Sequence, residues 1–181
     1  MAQVVFLRGI NVAGHRRFRP AVLAKQLKHL DVINVGAAGT FVVRQSISQA
    51  RLRVELARRL PFDAEIMICT GRKIVELAGG DFFAGQRARP DIVRFVSVLS
   101  RRPGVALQVP ASLPSRGRWM VKVLAHDDHF VVGLYRREMK VISHLGSLDQ
   151  IFGAPVTTRN WNTIAAIARK LDTRSDRQPS T

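Results

Sequence analysis

Arginine and asparagine side chains occur in two short stretches of this chain, each beside a feature that can present backbone N–H groups. In the first stretch, Phe6–His15, a β-branched and aromatic run ends in a loop framed by Gly9 and Gly14. Glycine adopts positive φ and allows close backbone approach, so the loop can aim N–H groups at an anion or simply form a tight turn. The sequence therefore predicts an anion-binding role for Arg8, Gly9, Asn11 and Gly14.

The second stretch, residues 157–163, reads Thr-Thr-Arg-Asn-Trp-Asn-Thr and precedes an apolar helical stripe. Threonine and asparagine cap helices, and the N–H groups and positive dipole end of a helix start favour an anion. We expect Arg159, Asn160 and Asn162 to bind such an anion. In the alternative interpretation, Thr and Asn only cap the helix, Trp161 anchors it, and Arg159 pairs with a carboxylate.

Two arginine clusters are typical of contacts to nucleic-acid phosphates. Arg16, Arg17 and Arg19 surround one aromatic residue, and Arg51 and Arg58 lie on a predicted helix. Guanidinium groups pair with phosphates through two parallel hydrogen bonds and stack on aromatic rings. The sequence therefore predicts these five arginines as a nucleic-acid-binding set, with an ordinary solvated loop and helix face as the alternative.

The charge balance admits a polyanionic partner. The 181 residues include 29 Lys and Arg against 13 Asp and Glu, which gives a net charge of +16. The excess is spread along the chain, because residues 1–90 carry 15 basic and 6 acidic groups and residues 91–181 carry 14 and 7. A general use of arginine on solvated faces would give the same balance, so the charge alone does not decide for nucleic acid.

Both stretches resemble signatures of one protein family. Residues 7–14, Leu-Arg-Gly-Ile-Asn-Val-Ala-Gly, and residues 157–163 are similar to the opening and C-terminal motifs of the domain-of-unknown-function 1697 family, a set of mostly bacterial proteins. The resemblance covers residues 1–171 and implies an α+β fold of two ferredoxin-like halves, with helices packed on one face of antiparallel or mixed sheets. The family usually carries Gln-Ser-Gly-Asn where this chain has Ala37-Ala38-Gly39-Thr40. Any ligand contact of those polar side chains is therefore altered here.

The apolar pattern agrees with the order strand, helix, strand, strand, helix, strand in the N-terminal half, residues 1–80. Predicted strands lie at Val4–Leu7, Val32–Val35, Phe41–Val43 and Ala64–Cys69. Leucine stripes predict one helix after Pro20 and another after the capping box Ser46–Gln49. A short helix is expected within residues 71–80.

A connection at residues 81–90 leads to the C-terminal half, residues 91–171, and a flexible tail is expected at 172–181. Predicted strands lie at Ile92–Leu99, Trp119–Ala125 and Phe130–Tyr135, with a further strand at Val141–Ser143. The segment up to Leu113 is expected to be helical or irregular, because two prolines keep any helix there short. Leu148–Phe152 is predicted to form one helical turn.

The sequence lacks the motifs that several classes of reaction require. Gly9 and Gly14 are spaced as in a P-loop, but His15-Arg16 stands where Lys and Ser or Thr are needed. The turn His126–His129 offers two imidazoles and two carboxylates, yet hairpin geometry accounts for it and no metal is predicted. Cys69, the single cysteine, lies in an apolar run and is expected to be a small buried hydrophobe. No cofactor motif is present, and the sequence leaves enzymatic activity open.

We therefore expect a basic cytoplasmic protein, because no secretory leader pattern opens the chain and no run approaches the roughly 18–20 apolar residues that span a bilayer. The expected partner is a nucleic acid, bound through its phosphate backbone, or another anion. The alternative is an enzyme or regulator that binds a small phosphate or carboxylate, with a site formed by the loop 8–15 and the helix start 157–163.

Overall fold

The computed structural model describes residues 1–10 and 18–172, and the chain divides into two compact units. The first unit comprises Met1–Gly79 together with Asn162–Thr181, and the second comprises Gly80–Trp161. The tail predicted from residue 172 lies almost wholly outside the described residues. Each unit contains one antiparallel sheet and its own helices, so the fold class is α+β, as the sequence predicted.

The sheet of the first unit has the strand order β2-β3-β1-β4, and every neighbouring pair is antiparallel. Its strands are β1 (Gln3–Arg8), β2 (Val32–Asn34), β3 (Thr40–Val43) and β4 (Glu65–Thr70). The helices of residues 1–79 are α1 (Pro20–Gln26), α2 (Gln49–Ala57) and α3 (Gly71–Ala78), with a 3₁₀ turn at Lys28–Leu30. These elements confirm the order predicted for the first half and its strand positions to within one or two residues.

The leucine stripes place α1 and α2 on one face of this sheet. Their buried leucines pack against alternate residues of the central strands, in one cluster formed by Val5, Leu7, Leu23, Leu27, Phe41, Leu52 and Leu56. Residues at even positions of β1 point to the other face, because successive strand side chains alternate. Val4 and Phe6 are nevertheless 0% exposed. The central strands β1 and β3 are therefore buried on both faces of the sheet.

The last helix, α6 (Trp161–Asp172), begins in the second unit and belongs to the first from Asn162 onward. Nη2 of Arg44 donates a hydrogen bond to the carbonyl of Lys170 at 3.0 Å. The side chain of Leu171 packs so closely on Gly71 that a Cβ there would approach it to 2.9 Å. Residues 162–171 of the predicted C-terminal half thus lie in the first unit, where the end of this helix packs.

The sheet of the second unit has the order β6-β7-β8-β5-β9, again antiparallel throughout. Its strands are β5 (Ile92–Leu99), β6 (Ala111–Leu113), β7 (Val121–His126), β8 (Phe130–Arg136) and β9 (Val156–Asn160). Two short helices, α4 (Val141–Gly146) and α5 (Leu148–Phe152), lie between β8 and β9. One face is buried against them in a cluster that includes Phe95, Val131 and Phe152, while Val96 and Val132 on the opposite face are also buried.

Two local predictions in this unit are wrong, and a third holds in part. Val141–Ser143 is part of helix α4, and the segment expected to be helical or irregular up to Leu113 is irregular as far as Pro110 but ends in strand β6. Thr157 and Thr158 lie within β9 rather than in a helix cap, because they pair with Val98 and Ser97 of β5. Long-range strand pairing and core packing override the local pattern in each case.

No helix among residues 1–10 and 18–172 is long and apolar enough to cross a membrane.

The turn between β2 and β3 yields a stability prediction, because its two glycines differ only in their surroundings. Gly36 and Gly39 both have positive φ, 76° and 67°. A Cβ at Gly39 would collide with Ile10 and approach the Cβ of Leu7 to 3.0 Å, whereas a Cβ at Gly36 meets nothing within 4 Å. Both alanine substitutions incur the left-handed backbone cost, but only Gly39→Ala also overpacks the core, by about 1–3 kcal/mol.

Urea unfolding followed by circular dichroism should therefore show Gly39→Ala to be less stable than Gly36→Ala by about that amount. Equal free energies of unfolding for the two variants would contradict the packing argument.

Candidate phosphate-binding surface

The outer side of α1 and α2 carries more basic than acidic residues, and we call it the basic helical layer. Its exposed cations are Arg19, Lys25, Lys28, Arg51, Arg53 and Arg58. Residues 19–31 and 48–59 together contain seven Lys and Arg against two acidic residues, Asp31 and Glu55. Because both helices bury their leucines on one face of the sheet, these cations lie on the outer sides of the helices, and of the arginines among them Arg53 reaches back to strand β4.

The carboxylate of α2 is already taken by another arginine. Nη1 of Arg59 lies 2.6 Å from Oε2 of Glu55, four residues earlier on the helix, and it also donates to the Glu55 carbonyl at 2.9 Å. Nη1 of Arg53 donates to the carbonyl of Ile66. Among the described residues, the guanidinium groups of Arg51 and Arg58 have no hydrogen-bond or ion-pair partner. These two of the five predicted nucleic-acid-binding arginines are therefore free to bind an anion.

Arg51 and Arg58 also lie on the same side of the helix. Seven residues correspond to two α-helical turns, a rise of about 10.5 Å. Arg58, the C-cap residue, keeps helical φ and ψ of −64° and −23°, so the helical spacing extends to it. The arrangement gives two unneutralised cations at a fixed separation on a rigid element.

A polar cleft of about 510 Å³ opens where the 3₁₀ turn meets the start of α2. It is lined by His29, Leu30, Gln45, Ser46, Ile47, Ser48, Arg51 and Glu55. Ser48 caps α2, and its hydroxyl accepts a hydrogen bond from the Arg51 N–H at 3.2 Å. The predicted capping box placed the cap at Ser46, two residues too early. Hydroxyl, amide, imidazole and guanidinium groups can all donate to an oxyanion, and Arg59 offsets the one carboxylate.

The first stretch predicted to bind an anion is only partly described. Gly9 has a φ of 69°, the positive value that the glycine pattern predicted. Nη1 of Arg8 forms an ion pair with Oε2 of Glu65 at 2.6 Å, with both side chains about one-third to one-half exposed. Asn11, Gly14, Arg16 and Arg17 lie outside the described residues. Arg8 is therefore held by a carboxylate of its own unit.

The second stretch places its arginine inside the second unit. Arg159 lies opposite Val96 on β9 and is 6% exposed. Its Nη1 donates to the Thr157 hydroxyl and to the Thr158 carbonyl, both at 2.8 Å. Burial lowers the pKa of the Arg159 guanidinium to about 10, which keeps it charged at neutral pH. Asn160 and Asn162 are exposed, whereas the side chain of Arg159 is buried.

Arg8 and Arg159 belong to different units, and each makes contacts within its own unit. The alternative interpretation expects Trp161 to anchor the helix to the sheet; its ring packs edge-on against Phe83, in the turn before β5, at 4.9 Å between centroids. The structure therefore gives each arginine a structural partner. A ligand role for either one stays a prediction.

The residues with metal-binding or nucleophilic chemistry are engaged locally. Nε2 of His126 lies 2.9 Å from the Leu107 carbonyl, and Oδ1 of Asp127 accepts hydrogen bonds from the N–H groups of His129 and Phe130. Within residues 1–10 and 18–172, no group of three or more His, Cys, Asp and Glu could hold a metal ion. Cys69 is 6% exposed, and burial raises the pKa of its thiol to about 12, which favours the unreactive protonated form.

Comparison with known proteins identifies a related fold. No family model matches the chain, and no curated protein does. A solved structure of a conserved bacterial protein from Streptococcus pneumoniae is similar with a TM-score of 0.58 at 19% sequence identity. The match covers 93% of this chain and 97% of that chain. At this identity the likeness shows the fold alone.

The buried thiol predicts slow chemical modification in the folded state. A pKa near 12 lowers the thiolate fraction at pH 8 by about a thousandfold relative to a model thiol of pKa 9. We expect iodoacetamide at pH 8 to label native Cys69 at least about a hundredfold more slowly than the urea-unfolded chain. Because Cys69 is the single cysteine, mass spectrometry of the intact protein measures the labelling without ambiguity. Comparable rates for native and unfolded chains would mean that the thiol is accessible.

Proposed function

We propose that the protein binds the phosphate backbone of nucleic acid through its basic helical layer. The observation that carries this proposal is that Arg51 and Arg58 stand on one side of α2 with no carboxylate partner among the described residues. Two other exposed arginines, Arg72 and Arg118, are by contrast paired with glutamates at 2.7 and 2.6 Å. An unneutralised cation gains most from an external phosphate, because binding does not require an existing ion pair to break.

The overall charge supports the same partner. A net charge of +16 attracts polyanions over long distances, and neutralising phosphates releases their condensed counterions. Charge of this kind gives affinity that depends on salt and not on base sequence. The basic helical layer concentrates part of it on one side of the first unit.

The cleft beside α2 is the place where one phosphate would be held most closely. Arg51 stands at its wall, and Ser46, Ser48, Gln45 and His29 surround the space with further donors. A volume of about 510 Å³ exceeds what a single phosphate group needs, so the sugar attached to it would also fit. A backbone phosphate in the cleft would leave Arg58 to contact a second one along the helix.

We also propose that the first unit is a ferredoxin-like fold. The order β1-α1-β2-β3-α2-β4 and the sheet order β2-β3-β1-β4 support this assignment. The second unit repeats a similar sheet order with β7, β8, β5 and β9, but β6 takes the place of a helix after β5. Many ferredoxin-like proteins bind RNA on an open sheet face. Because both faces of both sheets are buried here, the contact to nucleic acid is assigned to helices instead.

A second candidate function is binding of a small phosphate or carboxylate by the loop 8–15 and the segment 157–163, as in an enzyme or regulator. The positive φ of Gly9 favours it, since this conformation lets a loop aim N–H groups at an anion. Binding at Arg8 would compete with Glu65, and Arg159 is buried among its own hydrogen bonds. The proposal for the basic helical layer therefore has the stronger support.

The proposal predicts that the double variant Arg51→Ala/Arg58→Ala loses affinity for nucleic acid. The matched control is Arg72→Ala/Arg89→Ala, which removes two exposed arginines that are ion-paired, with Glu76 and Asp91 respectively. Both variants lower the net charge by two. Fluorescence anisotropy with labelled oligonucleotides across a salt series measures the affinity and its salt slope.

We expect the first variant to reduce the log–log salt slope by about 1.5–2, as the loss of two phosphate contacts requires, and the control to change it by less than about 0.5. Similar losses in both variants would show that only total charge matters. The same titration with Arg8→Ala/Arg159→Ala separates the two candidate functions, because the basic helical layer is intact in that variant.

A further inference from the structure

We infer that the partner of the basic helical layer is a double-stranded nucleic acid, contacted through its backbone without reading of base sequence. This inference rests on the proposed function and specifies the partner of that same surface. It follows from the unpaired arginines on this surface and from the lack of exposed aromatic rings among the described residues of the first unit.

Among its described residues, the first unit has no fully exposed Phe, Tyr or Trp ring for stacking on bases, since Phe18 and Phe62 are half-buried. Its sequence, residues 1–79 and 162–181, contains four phenylalanines and no tyrosine or tryptophan. Phe6 and Phe41 are 0% exposed. Phe18 and Phe62 pack edge-to-face on each other, 5.8 Å apart, and both pack against the core.

Proteins that bind single strands rely on such rings, because unpaired bases offer their faces for stacking. A duplex stacks its bases internally and offers phosphates instead, with one charge for about every 1.7 Å of axis. The absence of aromatic platforms together with unneutralised arginines therefore favours the duplex. His29, at the cleft, is the one exposed ring on the described part of the layer.

The spacing of the two free arginines fits the same partner. Arg51 and Arg58 are separated by about 10.5 Å along a rigid helix. The major groove of B-DNA is about 12 Å wide, so two cations at this spacing can contact the two strands that flank it. Val54, which is exposed on α2 between these arginines, has no hydrogen-bonding group in its side chain, and the carboxylate of Glu55 beside it is ion-paired with Arg59. Between the two arginines, this part of the helix surface therefore offers base pairs no unpaired hydrogen-bonding side chain.

The test compares the affinities of the intact protein for double-stranded and single-stranded nucleic acids. Anisotropy titrations use duplexes of about 20 base pairs, as DNA and as RNA and in two unrelated sequences, beside single strands of the same length and sequence. The proteins are wild type, Arg51→Ala/Arg58→Ala, the paired-arginine control Arg72→Ala/Arg89→Ala, and His29→Ala. Circular dichroism spectra and unfolding midpoints verify that each variant is folded.

We expect duplex affinity to exceed single-strand affinity by about tenfold or more, to differ less than about threefold between the two sequences, and to fall in Arg51→Ala/Arg58→Ala but not in the paired-arginine control. Equal or tighter binding of single strands, lost in that same variant, would overturn the duplex inference and leave the proposed function standing. Single-strand binding that is lost in His29→Ala would overturn it by showing that the imidazole stacks on bases. Absence of binding at physiological salt, or equal losses in the paired-arginine control, would overturn the proposed function itself.

Discussion

The burial of both faces of each sheet is the constraint on which the remaining features depend. Strand β1 carries apolar residues on both faces, with Val4, Val5 and Phe6 all fully buried. A strand of this kind is stable only if each face is covered, because each exposed large apolar side chain would forfeit about 1.5–3 kcal/mol. The sheets are thereby removed from the surface, and contact with any partner falls to helices and loops.

Arginine residues therefore have different roles according to whether they lie on a strand of these sheets or on the outer side of a helix. Arg159 lies on a strand, is buried, and donates to Thr157 and Thr158. Arg51 lies on the outer side of a helix, where its neighbour Glu55 is engaged by Arg59. A buried arginine that is hydrogen-bonded to its own strand orders the structure. An exposed arginine whose carboxylate is taken by another cation keeps its charge for a partner.

These differences decide how much could be predicted from the sequence. Strand Ile92–Leu99 was predicted to the residue, because six of its eight residues are apolar and most of those are β-branched, which is a strong local signal. Val141–Ser143 was wrong because two β-branched residues suggest a strand, while Val141 packs in the core as part of α4. Thr157 and Thr158 were taken as helix caps, but β5 pairs with them from 60 residues away. Pairing of a polar strand with a distant strand leaves no periodic pattern in the sequence of the polar strand itself.

The binding surface shows why composition alone cannot select the functional residues. Arg8, Arg51 and Arg58 are equally basic in the sequence, yet Arg8 meets Glu65, 57 residues later, and the other two meet no carboxylate in the described structure. A local ion pair at the surface contributes only about 0–1 kcal/mol, so it has little effect on folding. It matters more for binding, because a phosphate contact at Arg8 would have to displace Glu65. The arrangement of 13 acidic residues among 29 basic ones therefore decides which arginines are left without a carboxylate, and that arrangement exists only in the folded chain.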